Sequence, residues 1–144
     1  AVSLGTGDGA KARERLEAFL KEEPKDTAFY GAAQVRLAHA LEAEGKPGEG
    51  AKKLEAMGQE ALETMERLKT AAASESTDAM DVRVEQARER AAAFLLDAAQ
   101  MYRRGGVAEE AVKILKRISD DEALNASSLS TRVDRELRIL GEGG

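Results

Sequence analysis

The sequence has no cysteine, no tryptophan and a single histidine among its 144 residues. The absence of cysteine excludes disulfide bonds, thiolate catalysis and cysteine-ligated zinc sites. With His39 as the only histidine, a metal site of the His-Glu-x-x-His type is excluded as well. Aromatic residues make up only 3% of the chain. A core must therefore be built from alanine, leucine, valine, isoleucine and methionine, and an alanine-rich core favours closely packed helices over sheets.

Long apolar segments and a strong basic excess are also missing. No apolar run approaches the roughly 20 residues that a membrane span needs, and no basic-then-apolar signal segment begins the chain. The net charge of −5 argues against nucleic acid or an anionic membrane surface as the partner, because both reward clustered lysine and arginine. We therefore expect a soluble protein, and this composition suits both the cytoplasm and the periplasm.

Motifs for catalysis or cofactor binding are missing or lack their structural context. No nucleophile elbow, phosphate-binding loop or calcium loop occurs. Gly5-x-Gly7-x-x-Ala10 matches the dinucleotide fingerprint, but that motif needs a preceding strand within a βαβ unit. The carboxylates of residues 60–89 alternate with arginine and lysine at helical spacing, which is typical of solvated helix faces. We predict no enzymatic activity, no metal and no cofactor.

Apolar residues recur at spacings of three and four along the chain. No segment shows sustained alternation, so we predict an all-α fold with about six helices. Gly7-Asp8-Gly9 is expected to form a turn before a helix that ends at Pro24. Further helices are expected over 27–44, 48–73, 77–104 and 107 to about 120, with a last one capped by residues 125–128. The glycine-rich end, residues 141–144, is expected to be disordered.

Two of these helices are unusually long, and each carries an apolar seam. One seam consists of Leu54, Met57, Ala61, Met65, Leu68 and Ala72, and the other of Val84, Ala87, Ala91, Phe94, Ala98 and Met101. Alternating spacings of three and four predict coiled-coil-like antiparallel packing of the pair. The polar segment 74–78 is expected to supply the turn and the cap between them.

The stretch 95–118 has residue sizes that suit the helical hairpin of a tetratricopeptide repeat. Small side chains at Ala99 and Ala111 allow two antiparallel helices to approach to about 8 to 10 Å. The glycine break of this hairpin also repeats, since residues 45–51 align with 105–111. The residues that carry the pattern are Leu95, Ala98, Ala99 and Tyr102 before Gly105 and Gly106, and Glu109, Glu110, Ala111 and Leu115 after them.

Over these residues the chain resembles the tetratricopeptide-repeat family, and a half-repeat at 7–24 places Ala12, Leu16 and Pro24 in repeat positions. The resemblance implies one TPR-like domain over 1–144, a fragment of a right-handed α-solenoid with a long central helix pair, taken from a longer chain. It also implies a protein-binding scaffold or adaptor, within a larger bacterial-type assembly, that holds a partner peptide or subunit on a concave helical surface.

The face that each first helix of the repeats leaves free after packing is the candidate binding surface. Polar groups beside apolar patches on this face could orient a partner's backbone. The alternative is that Leu96 and Val35 complete a wider core. The six residues that we predict to line a partner-binding groove are Val35, His39, Glu42, Leu96, Gln100 and Arg103.

Two further functional hypotheses remain open at this point. The long hairpin over 48–104 could pack against a second copy of the chain, which would make the protein a structural homo-oligomer. A helical enzyme or small-molecule carrier is a third hypothesis, and it requires a deep apolar pocket.

Overall fold

The computed structural model describes residues 6–22, 28–74, 78–125 and 127–141, which form helices joined by short turns. No strand occurs within these residues, and the predicted all-α class is confirmed. One helix, α6, has only four residues. The helices are α1 (Thr6–Glu22), α2 (Ala28–Ala43), α3 (Pro47–Ser74), α4 (Asp78–Arg104), α5 (Ala108–Asp120), α6 (Glu122–Asn125) and α7 (Ser130–Ile139).

The long pair α3 and α4 is the centre of the fold. These helices have 28 and 27 residues, whereas α2 has 16 and α5 has 13. The predicted seams face each other across the pair, with Leu54, Met65, Ala91 and Met101 buried. On either side, α2 packs on α3, α1 packs on α2, and α5 packs on α4 and α7. Within the described ranges no helix combines the length and the apolar character needed to cross a membrane.

Two glycines end α2 and α4 with the same hydrogen-bond pattern. Gly45 and Gly106 have φ angles of 85° and 81°, a conformation that residues with a side chain rarely adopt. After α2, the amide of Lys46 donates to the carbonyl of Leu41, and the amide of Gly45 donates to that of Glu42. The same two bonds follow Tyr102 and Arg103 at the end of α4. This is a Schellman cap, and it places Gly106, not Gly105, in the position equivalent to Gly45.

A glycine allows α2, α3 and α4 to meet. Gly50 lies in the first turns of α3, and a side chain there would collide with the backbone carbonyl of Ala38 on α2 and with the sulfur of Met101 on α4. Ala38 and Met101 are both fully buried. Because the contacts include backbone atoms, the three helices could not keep this spacing around a larger residue.

The α4–α5 hairpin buries both small and large side chains. Ala99, Ala111, Leu115 and Tyr102 are all buried, and the two helices are in contact. The hydroxyl of Tyr102 also hydrogen-bonds Glu55 on α3. Burial, and then this bond, raises the pKa of Tyr102 far above its usual value. The tyrosine therefore stays protonated and links α4 to α3.

The predicted structure of α1 is wrong at its start. Residues 7–9 do not form a turn, because α1 already begins at Thr6 and includes them. Phe19, three residues after Leu16 on α1, is 41% exposed. Pro24, the expected end of the helix, and the linker 75–77 lie outside the described residues, as do residues 142–144 of the predicted disordered tail.

The predicted cap of the last helix is also wrong. The N-cap of α7 is Leu129, which makes no side-chain capping bond. The backbone amide and hydroxyl of Ser128 instead donate to Glu89 on α4. Val133 and Leu137 of α7 are buried.

A matched pair of glycine substitutions in α3 tests the helix junction. Gly50→Ala should destabilise the fold by about 1 to 3 kcal/mol, because overpacking outweighs the gain in helix propensity. Gly48→Ala, two residues earlier, meets no atom within 4 Å and should leave stability equal or raise it by up to about 1 kcal/mol. Urea unfolding followed by circular dichroism measures both changes. Equal effects of the two variants on stability would contradict the close contact of α2, α3 and α4 at Gly50.

Candidate functional site

Helices α2 and α4 are joined by polar side chains along their exposed seam. Nε2 of His39 lies 3.1 Å from Oδ2 of Asp97, a hydrogen bond in which the ring N–H donates to the carboxylate. Further along, Arg104 donates two hydrogen bonds to Glu42, at 2.8 and 3.0 Å. These bonds raise the pKa of Arg104 above its usual value, so its guanidinium stays protonated.

A second polar seam joins α4 to α7. Nε2 of Gln100 donates to Oε1 of Glu136 at 3.3 Å, and Nη1 of Arg103 lies 3.3 Å from the other oxygen of the same carboxylate. The side chain of Glu136 is only 14% exposed. This half-buried carboxylate is therefore held from two sides by α4.

The order of these contacts gives the direction of the helices. His39 on α2 contacts Asp97 on α4, and Glu42, further along α2, contacts Arg104, further along α4. The two helices therefore run in the same direction along the first seam. Along the second seam, Ser128 meets Glu89, and Glu136, further on, meets Gln100. Helices α2, α4 and α7 therefore run parallel to one another.

The two seams lie on one continuous surface. Helix α3 packs against both α2 and α4 through the buried junction at Gly50, and the seam residues are partly exposed, so the first seam faces away from α3. Asp97 and Gln100 are three residues apart on α4 and are neighbours on its surface. We call this surface the α2–α4–α7 face, defined by His39, Glu42, Asp97, Gln100, Arg103, Arg104 and Glu136.

Four of the six predicted groove residues lie on the α2–α4–α7 face, and two do not. The four are His39, Glu42, Gln100 and Arg103. Leu96 is only 3% exposed and belongs to the main core, so it cannot line a groove. Val35 is half-buried and packs against the same core. Both residues lie where the alternative of a wider core expects them, since Leu96 is buried on α4 and Val35 packs against the same core from α2.

Three residues of the face were not predicted, namely Asp97, Arg104 and Glu136. A signal for the first two is present in the sequence. The bonded partners are separated by 58 and 62 residues, close to the offset at which the glycine breaks repeat. Complementary polar pairs near that offset could have identified Asp97 and Arg104. Glu136 has a similar signal, because α7 also ends at a glycine of positive φ, Gly141, and the 36 residues between Gln100 and Glu136 are close to the offset between Gly106 and Gly141.

The chemistry that this face offers is hydrogen bonding and charge recognition. Each of its carboxylates is held by an arginine, histidine or glutamine of the neighbouring helix. Across the described ranges, no group of three or more metal-ligating side chains is brought together. An open depression of about 300 Å³ lies elsewhere, between α5 and Leu140, and contains no residue of the face.

The strength of the first seam can be measured by a double-mutant cycle. Glu42→Gln and Arg104→Gln should show a coupling energy of about 0.3 to 1 kcal/mol, the range of a partly exposed bidentate pair. The control pair is Glu110 and Lys113 on α5, a single contact with more exposed side chains, whose coupling should be smaller. Urea unfolding of the four variants of each cycle gives both values. A larger coupling for the control would contradict a structural role for the seam.

Comparison with known proteins adds no family to this geometry, since no family model, no curated protein and no solved structure matches the chain.

Proposed function

We propose that the chain is a protein-interaction scaffold that binds a segment of another protein on the α2–α4–α7 face. The observation that carries the proposal is the presence of three parallel helices, joined side by side by polar bridges, on one exposed surface. A surface of this kind presents hydrogen-bonding groups from three elements to one ligand. Proteins that bind extended peptides need such groups at several points along the chain.

The arrangement of the helices supports a tetratricopeptide-like α-solenoid as the architecture of this scaffold. Helices α1 to α6 pack against each other in chain order and α7 packs on α5, while α2, α4 and α7 run parallel. Identical Schellman caps end α2 and α4 at Gly45 and Gly106. In the proposed architecture, α2, α4 and α7 are the first helices of successive repeats, and the extra length of α3 and α4 is an insertion.

A small exposed residue near the middle of the face leaves room for a partner's backbone. Ala93 lies one turn before Asp97 on α4 and is exposed. Because its side chain is a single methyl group, a peptide can approach the helix here while Gln100 and His39 bond its amides. The proposal assigns recognition to these residues and no chemical step.

Self-association through the long hairpin is a second candidate function. Helix α2 runs parallel to α4, and the start of α2 lies beside about position 88 of α4. The first ten or so residues of α4 therefore extend beyond the start of α2. This part of the hairpin has a small separate core of Met65, Val84 and Ala87, and Val82 is 50% exposed. Light scattering distinguishes a monomeric scaffold from such an oligomer.

The binding surface is tested with a bulky substitution at its centre. Peptides selected from a random display library against the whole chain serve as the ligands. Ala93→Trp should weaken their binding by at least about tenfold, because the indole fills the space above α4. The free energy of unfolding should change by less than about 0.5 kcal/mol, as for other exposed positions.

The matched control is Ala56→Trp, an exposed alanine in α3 away from the face. This variant should bind the selected peptides as the unmodified chain does. Equal binding by both tryptophan variants would refute the proposed surface. Weaker binding of Ala93→Trp together with lower stability would show that Ala93 supports the fold instead.

A further inference from the structure

We propose that the segment bound on the α2–α4–α7 face is acidic, with its carboxylate side chains paired to exposed arginines of this surface. This inference rests on the proposed function and specifies the chemistry of the partner. It comes from the difference between the two signs of charge on the face. The acidic groups have partners within the chain, whereas three arginines beside them have none among the residues that the structure describes.

The carboxylates of the face are already engaged. Glu42 accepts two bonds from Arg104, and Glu136 is held by Gln100 and Arg103. Asp97 accepts a bond from His39. A basic partner would have to compete with these internal contacts, so the face offers it little.

Three exposed arginines continue the stripes of the face. Arg36 precedes His39 by three residues on α2, Arg90 precedes Asp97 by seven on α4, and Arg132 precedes Glu136 by four on α7. These spacings keep each arginine on the same side of its helix as the seam residue. None of the three has an ion pair or a side-chain hydrogen bond to any residue that the structure describes.

The local charge opposes the charge of the whole chain. The face, the three arginines beside it and Glu89 of the second seam contain five arginines and four carboxylates, an excess of one positive charge in a chain with a net charge of −5. An overall excess of basic residues therefore does not explain the patch. A guanidinium with no partner can bind a carboxylate through two parallel hydrogen bonds, which favours acidic side chains as ligands.

The spacing of the arginines suits an extended peptide. Arg36 and Arg132 lie about 4.5 and 6 Å before the seam residues of their helices, and Arg90 lies about 10.5 Å before Asp97. Helices α2 and α7 are linked to α4 through side chains and not by close backbone packing, so Arg36 and Arg132 are separated by at least about 16 to 20 Å across α4. An extended chain advances about 3.3 Å per residue. A segment with acidic residues at least about five or six positions apart could therefore reach both arginines.

The probe for this inference is a fluorescein-labelled decapeptide of glutamate with an amidated C-terminus, so that only side-chain carboxylates are offered. Its binding to the whole chain is measured by fluorescence anisotropy. A lysine decapeptide of the same design and a ten-nucleotide oligothymidylate are measured in parallel. We expect the glutamate peptide alone to bind, and its affinity to fall as salt is raised from about 50 to 500 mM, because exposed charges are screened.

The arginines are tested by charge reversal at all three positions, Arg36→Glu, Arg90→Glu and Arg132→Glu. Binding of the glutamate peptide should weaken by at least about tenfold, since attraction is replaced by repulsion at three points. The control variant combines Arg15→Glu, Lys52→Glu and Arg138→Glu, which are exposed positions outside the face with the same total change in charge. It should weaken binding by less than about threefold, through long-range effects only.

Several outcomes would overturn the inference. Equal losses of affinity for the glutamate peptide in the two triple variants would show a response to net charge alone. Tighter binding of the lysine peptide than of the glutamate peptide would show that the face prefers basic ligands. Binding of the oligonucleotide alone, with the same dependence on the arginines, would assign the face to nucleic acid. Binding only when the glutamate peptide has a free C-terminus would indicate recognition of a terminal carboxylate instead of side chains.

The same measurements separate this inference from the proposed function. If neutral or basic peptides from the display library bind and are blocked by Ala93→Trp, the face is a protein-binding surface and the acidic partner is wrong. If no peptide of any charge binds in a manner sensitive to Ala93→Trp, both proposals fail.

Discussion

The close approach of α3 to its neighbours at Gly50 is the constraint on which the rest of the structure depends. At this point one helix touches the backbone of α2 and a buried methionine of α4, so the positions of three helices are set together. Because α3 lies beneath both α2 and α4, their remaining contact is at the surface, where polar residues are tolerated. The seam between His39 and Asp97, and between Glu42 and Arg104, is thus a consequence of small residues in the core.

Much of this packing could be predicted from the sequence because its signals are local. The seams of α3 and α4 repeat at spacings of three and four over many turns, and such long patterns leave little choice of buried face. The glycine breaks at 45 and 106 end helices through a backbone conformation that favours glycine. Ala99 and Ala111 are small where two helices cross, and their burial follows from that size.

The errors occur where the local signal has two structural outcomes. Residues 7–9 contain two glycines, which suit a turn, yet a glycine in a helix costs only about 1 kcal/mol relative to alanine, so these residues also fit the start of α1. Leu96 lies on a stripe with Gln100 and Arg103, and that stripe suits a groove as well as it suits a core. The outcome depends on how many helices surround α4. With α3, α5, α6 and the polar seams around it, α4 buries a wide arc that includes Leu96.

The candidate site contains two kinds of residue. The polar contacts of the seams contribute little to stability, and the arginines beside the seams have no role in stability. Partly exposed ion pairs contribute at most about 1 kcal/mol each, whereas each buried leucine of the core contributes about 2 to 5 kcal/mol relative to alanine. The seams of the α2–α4–α7 face therefore align the helices more than they hold the fold together. Their second effect is to neutralise the acidic groups of the surface. What remains available to a ligand is the set of arginines beside the seams, and these can be altered without loss of the core. Recognition and stability thus depend on different residues of the same helices, which allows the partner of such a scaffold to change while its fold is retained.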